Sequence, residues 1–358
     1  LQRLESLGFS GAFGMYEAID YTAARVPPGQ DCVLIRSFMA HHQGMGLLSL
    51  DYLLRRQAMQ RRSLADAEYQ ATVLLLQERI PQTGLFHPHE AEVQGARAMS
   101  GETETQLRVL RNPASARPEV QLLSNGRYHG MLTHAGGGYS RYRDMATTRW
   151  REDGARDPWG TFCYLRDVES GQFWSTALQP TGVAMEHYEA IFSDAKVEFR
   201  GARNGYESHL EIAISAEDDI ELRRLRLSNR SRRTRTLEVT TYAGVGLAAG
   251  VSDEVHPAFS NLFVQTEIVR PKQALLCTRR PRAHDEVPPW MFHLIAVHDA
   301  DITQISYEGD RARFLGRGNT PRAPDALTGQ AKLSDTDGSV LGPVVAIRCR
   351  IELAPGQT

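Results

Sequence analysis

The sequence predicts a mainly β protein, a large antiparallel β-sandwich preceded by a short α-helical segment. Three observations carry that prediction. From about residue 118 to 355, short apolar runs alternate with turn residues at nearly regular intervals. Between 31 and 78, apolar residues recur instead at helical spacing. From about Pro81 to Pro118 the chain is polar and small, with neither period.

Helices are expected over roughly 12–22, 31–57 and 63–78. Asp31 stands where it can cap the second. Leu34, Ile35, Phe38, Met39, Met45, Leu48, Tyr52 and Leu53 give that helix a stripe broad enough to be largely buried against neighbours. Ser63 and Asp66 have the spacing of a capping box. Pro27 and Pro28 break the chain before the second helix, and Pro81 breaks it after the third. Residues 81–117 read as a linker wrapped over a surface, and 118–358 as the sandwich. There, "VQLLSNGRYHGMLTHAGGGYSRY" folds back at Asn125-Gly126, and "KVEFRGARNGYESHLEIAIS" repeats the design at Asn204-Gly205. "GTFCYLRDVESGQFWSTAL" turns near Gly171, and a polar turn over 229–233 joins two longer runs. The spacing excludes βαβ units. Helices confined to 1–80 are too few residues to hold a core alone, so they are expected to be the tail of a larger helical domain. The start at Leu1, with no methionine, agrees with a fragment.

Composition removes several classes of function. Net charge is −2; residues 1–112 carry 11 basic and 12 acidic side chains and the remainder 30 and 31, so neither part is a basic platform for nucleic acid. No apolar run approaches the roughly 18 residues that a membrane-spanning helix needs. Cys32, Cys163, Cys277 and Cys349 form no C-x-x-C pair, which argues against a zinc ribbon or a thioredoxin-type site and suits a reducing compartment.

Chemistry-bearing residues gather in three places. Glu17 lies in "GMYEAIDYT", where apolar neighbours would penalise its charged form, as in glycosidases that tune carboxyl groups across a scissile bond. A plain capping or pairing role is the competing reading. Asp20 either shares a helical face with Glu17 or caps a turn before Thr22. In "HHQGM", His41 and His42 would point about 100° apart on a helix, so they do not form an i, i+4 metal pair, and no metal is expected. With Gln43 they offer donors and acceptors for a sugar wall; packing near Gly44 is the alternative. "TRWREDGARDPWG" sets Arg149, Trp150, Asp157 and Trp159 in one non-periodic stretch, either a sugar-facing loop or a structural loop of Arg–Asp pairs and buried indoles. "AGGGYS" lacks the lysine of a phosphate loop and reads as backbone in close approach.

"FGMYEAIDYT" followed by "RSFMAHHQGM" resembles the C-terminal end of the glycoamylase-like domain of bacterial cyclic β-1,2-glucan synthases. "LLSNGRYHGMLTHAGGGYSRYRDMATTRWREDGARDPWGTFCYLRD" and "HPAFSNLFVQTE" resemble the β-supersandwich that opens the phosphorylase domain of the same proteins, of glycoside phosphorylase family 94. The resemblance covers nearly the whole chain, and "LQERIPQTGLFHPHEAEV" fits the junction. It implies that 1–80 end an (α/α)6 barrel, that a second barrel follows the sandwich, and that a membrane-embedded transferase lies elsewhere in the parent. The parent makes a linear β-1,2-glucan from UDP-glucose, cyclises it by transglycosylation and trims it with inorganic phosphate. A divalent metal belongs to the transferase, and this chain itself needs no cofactor. The implied partners are β-1,2-glucan, the barrels of the same polypeptide and a second copy bound through the sandwich. The implied location is the cytoplasmic side of the inner membrane, with this fragment soluble and inactive. Glu17 becomes the nucleophile, or alternatively the acid/base, with His41, His42 and Gln43 lining its pocket. The competing origins are a stand-alone phosphorylase and a non-catalytic glycan-binding or dimerisation module.

Overall fold

The computed structural model describes residues 2–22, 26–27, 29–73, 107–151, 153, 157–250, 255–281, 286–329 and 331–358. The chain divides into two compact units, Leu1–Glu102 and Thr103–Thr358.

The first unit corrects the helix expected over 12–22. After α1 (Gln2–Ser6), residues 10–20 form β1 (Ser10–Gly11), β2 (Gly14–Met15) and β3 (Ala18–Asp20). β1 and β2 close a hairpin, and Gly14, at φ +109°, takes a conformation closed to other residues. β3 pairs antiparallel with β4 (Val33–Ile35), so the chain after Asp31 begins as strand. The capping role given to Asp31 therefore fails. The helix α2 runs Ala40–Leu54, and Met39 before it is extended and offers no side-chain cap. Positive φ at Arg56 and Gln57 ends α2, close to the expected end at 57, and separates it from α3 (Ala58–Ser63), a short helix in the interval left between the second and third expected helices. α4 (Ala67–Thr72) occupies part of the third expected helix; residues 74–80 lie outside the described residues. Asp20 accepts a bond from the Thr22 N–H at 2.8 Å, the local turn role.

Most of the expected linker, 81–106, also lies outside the described residues. Its end does not: β5 (Arg108–Leu110) already belongs to the β-rich unit. From there the strands are β6 (Val120–Ser124), β7 (Tyr128–Thr133), β8 (Gly138–Tyr142), β9 (Met145–Thr148), β10 (Thr161–Asp167) and β11 (Phe173–Ser175). They are followed by β12 (His187–Phe192), β13 (Val197–Arg203), β14 (Tyr206–Ile214), β15 (Glu221–Asn229) and β16 (Arg235–Ala249). α5 (Pro257–Asn261) precedes β17 (Val264–Val269), β18 (Ala274–Arg279), β19 (Trp290–Leu294) and β20 (Ile302–Asp310). α6 (Arg311–Leu315), α7 (Asp325–Thr328), β21 (Gly338–Ser339) and β22 (Pro343–Leu353) complete the unit. The fold is mainly β and antiparallel, as the sequence predicts.

Turn chemistry fixes the registers. Asn204 and Gly205 both have positive φ, which sets Arg203 opposite Tyr206 between β13 and β14. At Asn125-Gly126 the Asn125 side chain accepts from the Tyr128 N–H at 2.7 Å and closes β6 onto β7. The strands form a nine-stranded sheet centred on β16 and β22, a five-stranded sheet (β15-β14-β13-β12-β5) and a four-stranded sheet (β19-β18-β17-β21). One face of the large sheet packs Leu165, Trp174, Leu237 and Cys349 against Tyr206 and Leu227 of the five-stranded sheet. Further along, Val245, Leu247, Val345 and Ile347 meet Leu275 and Cys277 of the four-stranded sheet. The other face buries Tyr164, Tyr242 and Val344 under Phe314 of α6 and Leu327 of α7. Each such large side chain removed from water contributes about 1.5–3 kcal/mol.

Charges are built into the same layers. Glu238 is 2% exposed and binds Arg166 at 3.0 Å and Arg350 at 2.6 Å. Arg348 donates to the carbonyls of Ala331 (3.1 Å) and Ala326 (2.6 Å), stapling the chain around α7 to the sheet.

Candidate functional site

The first cluster is made by the β2–β3 connection and the start of α2. Backbone bonds from Tyr16 N–H to Phe9 O (2.9 Å) and from Glu17 N–H to Ser37 O (3.0 Å) hold Glu17 beside the chain entering α2. The Glu17 carboxylate meets His42 Nδ1. His41, one residue earlier, stacks on His42 with ring centres 4.0 Å apart. Gln43 donates to the Met15 carbonyl at 3.3 Å, tying α2 to the turn that carries Glu17. Phe38 lies across Phe13 (5.6 Å) and Tyr16 (5.2 Å), an aromatic flank beside the carboxylate. The structure thus brings Glu17, His42 and Gln43 together, with His41 against His42, although Glu17 sits on a strand connection and not on the helix expected there. The Glu17 side chain is 13% exposed and that of His42 44%, so the pair is reachable from solvent. A carboxylate positioned by an imidazole and flanked by aromatic rings can accept a sugar hydroxyl or act on an anomeric carbon.

The second cluster surrounds the triple glycine between β7 and β8. A Cβ on Gly136 would lie 2.3 Å from Ala177 Cβ, one on Gly137 1.9 Å from Asp157 Oδ1, and one on Gly138 1.9 Å from the Met131 carbonyl. Close approach is therefore the reason for "AGGGYS". Thr133 donates its hydroxyl to Asp157 and accepts from the Gly137 N–H at 3.0 Å. Gly138 N–H donates to the Trp159 carbonyl at 2.8 Å. Burial pushes the Asp157 carboxyl above the usual carboxylate range, against the opposing bonds from the Thr133 hydroxyl and the Gly137 N–H. Asp157 and Arg149 are built into the fold: the Arg149 guanidinium donates to Asn261, whose own amide reaches the Leu341 carbonyl at 2.7 Å. Trp150 and Trp159 remain half-buried, and Trp150 makes an edge contact with Tyr139 at 5.5 Å.

His134 belongs to this cluster and sequence reasoning missed it. Its Nδ1 accepts from the Glu119 N–H at 3.1 Å, and its Nε2 is buried with no partner among the described residues. The polar pair Thr133-His134, one alanine before three glycines, was the available signal. Among the described residues, Glu198, His209 and Glu211 group closely enough to hold a metal. Lys196 Nζ already fills that place, 2.8 Å from Glu198 and 2.7 Å from Glu211.

The second unit is an antiparallel β-supersandwich, and the first carries a carboxylate held by a histidine. Residues 103–358 match the glycosyl hydrolase 94 supersandwich domain, and the chain belongs to that family. The match begins at Thr103, where the second unit begins. The whole chain is similar to the cyclic beta-(1,2)-glucan synthase NdvB of Rhizobium meliloti (strain 1021), 34% identical over 359 residues that make up 13% of that protein. Over 70% of the chain it is 25% identical to the N,N'-diacetylchitobiose phosphorylase of Vibrio furnissii, covering 31% of the latter. Over 61% it is 22% identical to the solabiose phosphorylase of Paenibacillus borealis, covering 28% of it. The chain thus spans under a third of each of these relatives. Among the described residues, no helix is long and apolar enough to cross a membrane.

Proposed function

We propose that this chain is part of a bacterial cyclic β-1,2-glucan synthase, and that Glu17 is the nucleophile of its transglycosylating cyclisation. The observation that supports this most is the meeting of Glu17 with His42, with Gln43 clamping the same turn, inside a motif pair whose similarity to a glucan synthase runs the full length of the chain. Retaining transfer needs a nucleophile and an acid/base about 5–5.5 Å apart. In this reading the second carboxyl comes from another part of the parent, UDP-glucose is the donor of its transferase, and phosphate serves its phosphorylase at the inner membrane. Alone, the chain does not catalyse; its supersandwich is scaffold and glycan-docking wall, with Trp150 and Trp159 as the stacking groups. Its partners are β-1,2-glucan, the barrels of the same polypeptide and a second copy.

The test is made in the full-length synthase. Glu17→Gln keeps the shape but removes the charge that a covalent intermediate needs, so cyclic product should vanish while linear glucan still forms. His42→Ala should reduce cyclisation only in part, by the roughly 1–3 kcal/mol of a bond to a charged group. Cyclic glucan at near wild-type yield from Glu17→Gln, read by mass spectrometry of the products, would refute the assignment.

A further inference from the structure

Three sheets meet along one seam. Among the described residues the four-stranded sheet shares no strand pairing with the other two, so packing and side-chain bonds hold it to the large sheet. Its edge strand β19 and the edge strand β15 of the five-stranded sheet come down on the neighbouring strands β16 and β10. From β15, Arg223 donates to the Thr161 carbonyl of β10 at 2.7 Å. From β19, His293 Nε2 meets the Thr241 hydroxyl of β16 at 2.8 Å. Thr241 stands opposite Cys163 in the β10–β16 register, two positions along β10 from Thr161. Residues two apart on a strand share a face, so the register sets a guanidinium and an imidazole side by side over one face of the large sheet. Met291 and Ile295 flank His293 in the chain and both pack into the core. With β19 in place, the imidazole is therefore held inward, between the layers.

We propose that His293 is a pH-sensitive latch between the four-stranded sheet and the large sheet, closed while its imidazole is neutral and released when mild acid protonates it. The surroundings favour the neutral ring. β15 brings Arg223, a fixed positive charge, and Glu221, whose carboxylate already accepts from Arg223 at 2.6 Å and from Ser140 of β8. β16 brings the uncharged Thr241. The thiols Cys163 of β10 and Cys277 of β18 and the Tyr128 phenol of β7 are each pushed up by burial to about 12, so they too stay uncharged. Burial and then the Arg223 charge, opposed more weakly by Glu221, lower the His293 imidazole from 6.5 to about 4. Freed from the seam, the ring returns to its ordinary value near 6.5. Opening therefore takes up a proton. The closed form keeps its full advantage above about pH 6.5 and loses it progressively as pH falls toward about 4. A difference of about 2.5 units corresponds to a rise of about 300-fold in the open population below pH 4, and of about tenfold between pH 7.5 and pH 5.5. The β15 side of the seam does not titrate in that range, because Arg223 and Glu221 hold each other charged.

The experiment is hydrogen exchange of chain 1–358 read by mass spectrometry between about pH 7.5 and pH 5.5, each rate divided by the intrinsic rate at that pH. Such protection reports local opening. Peptides covering the β18–β19 ladder should lose about tenfold in protection over that range, while those of β13 in the five-stranded sheet should not change. His293→Gln keeps a donor for Thr241 but takes up no proton, so its β19 protection should stay level with pH. Circular dichroism and the melting temperature verify that the variant folds. A second measurement needs no variant: the His293 ring of the parent chain, followed by nuclear magnetic resonance, should remain neutral down to at least about pH 5. Three results overturn the proposal. They are β19 protection that does not change with pH, the same loss in His293→Gln as in the parent, and a folded-state imidazole that titrates near 6.5.

Discussion

α2 and the paired strands β16 and β22 are about equally apolar, yet their side chains meet opposite fates. On α2, Met45, Leu47, Leu48, Leu50, Leu53 and Leu54 are each more than half exposed, and no described residue before position 74 is buried. On β16 and β22, Leu237, Val245, Leu247, Val344, Val345 and Ile347 are at most 1% exposed. A helix satisfies its backbone internally, so it can form without a neighbour. A strand cannot, and the ladder that completes its hydrogen bonds also brings the layers that cover its side chains. Apolar periodicity therefore reports a capacity for burial. The sheet realises that capacity within this chain, and α2 does not among the described residues.

Paired truncations test this contrast most strongly. Trp174→Ala, at a site 1% exposed in the main core, should cost about 3–5 kcal/mol. Leu53→Ala on α2, where the side chain is 72% exposed, should change stability by less than about 0.5 kcal/mol. Urea unfolding followed by circular dichroism compares them. A Leu53→Ala cost near that of Trp174→Ala would mean that α2 is covered in solution and that the contrast is false.

A smaller effect is expected at the triple glycine. In Gly137→Ala the new methyl would occupy the place of the Asp157 carboxyl, so overpacking of about 1–3 kcal/mol should follow. The same substitution in an Asp157→Ala background should cost clearly less, because the obstructing group is gone. Equal costs in the two backgrounds would show that Asp157 does not brace the loop.

Acid sharpens the comparison differently, because the five-stranded sheet carries a network that the first unit has no counterpart for among the described residues. Burial alone would push the Glu198 carboxyl up, but bonds from Lys196, His209 and Arg200 outweigh it and hold the group at about 2, below its ordinary 4.5. A carboxylate depressed on folding stabilises the native state above the unfolded value, and that contribution disappears as pH falls through the folded value. Melting temperature should therefore fall between about pH 4.5 and about 2, and less steeply in Glu198→Gln. An unchanged slope in the variant would assign the acid sensitivity to other carboxylates.

Legibility in the sequence followed how locally each feature is encoded. Asn204-Gly205 and Asn125-Gly126 announce their hairpins because a two-residue turn carries its own dihedral demands. The stretch 12–35 misleads because Tyr16, Ile19 and Leu34 have apolar spacing compatible with a helix, whereas the β3–β4 pairing is decided across a gap of more than ten residues. Glu238 and Arg350 stand 112 positions apart, and no local pattern announces that ion pair. The candidate site divides in the same way. The motifs around Glu17 and His42 are each readable, and the resemblance already sets His41, His42 and Gln43 around Glu17; that His42 meets the carboxylate while Gln43 holds the Met15 carbonyl is visible only in the folded chain.

The smallest expected effect concerns that same contact, and its smallness is what makes it informative. Glu17 and His42 form an ion pair only if the imidazole is protonated, and the His42 side chain is 44% exposed, so water screens the attraction. Exposed pairs are worth about 0.2–1 kcal/mol in double-mutant cycles. Glu17→Gln, His42→Ala and the double variant of chain 1–358 should accordingly unfold within about 1 kcal/mol of the parent, with a coupling at the low end of that range. A residue kept for the fold would behave otherwise, since losing a buried, required partner costs about 3–5 kcal/mol. If the cycle returns a coupling of that size, Glu17 is a structural carboxylate and His42 its counter-ion. If it stays small while Glu17→Gln stops cyclisation in the intact synthase, the pair belongs to chemistry and not to folding.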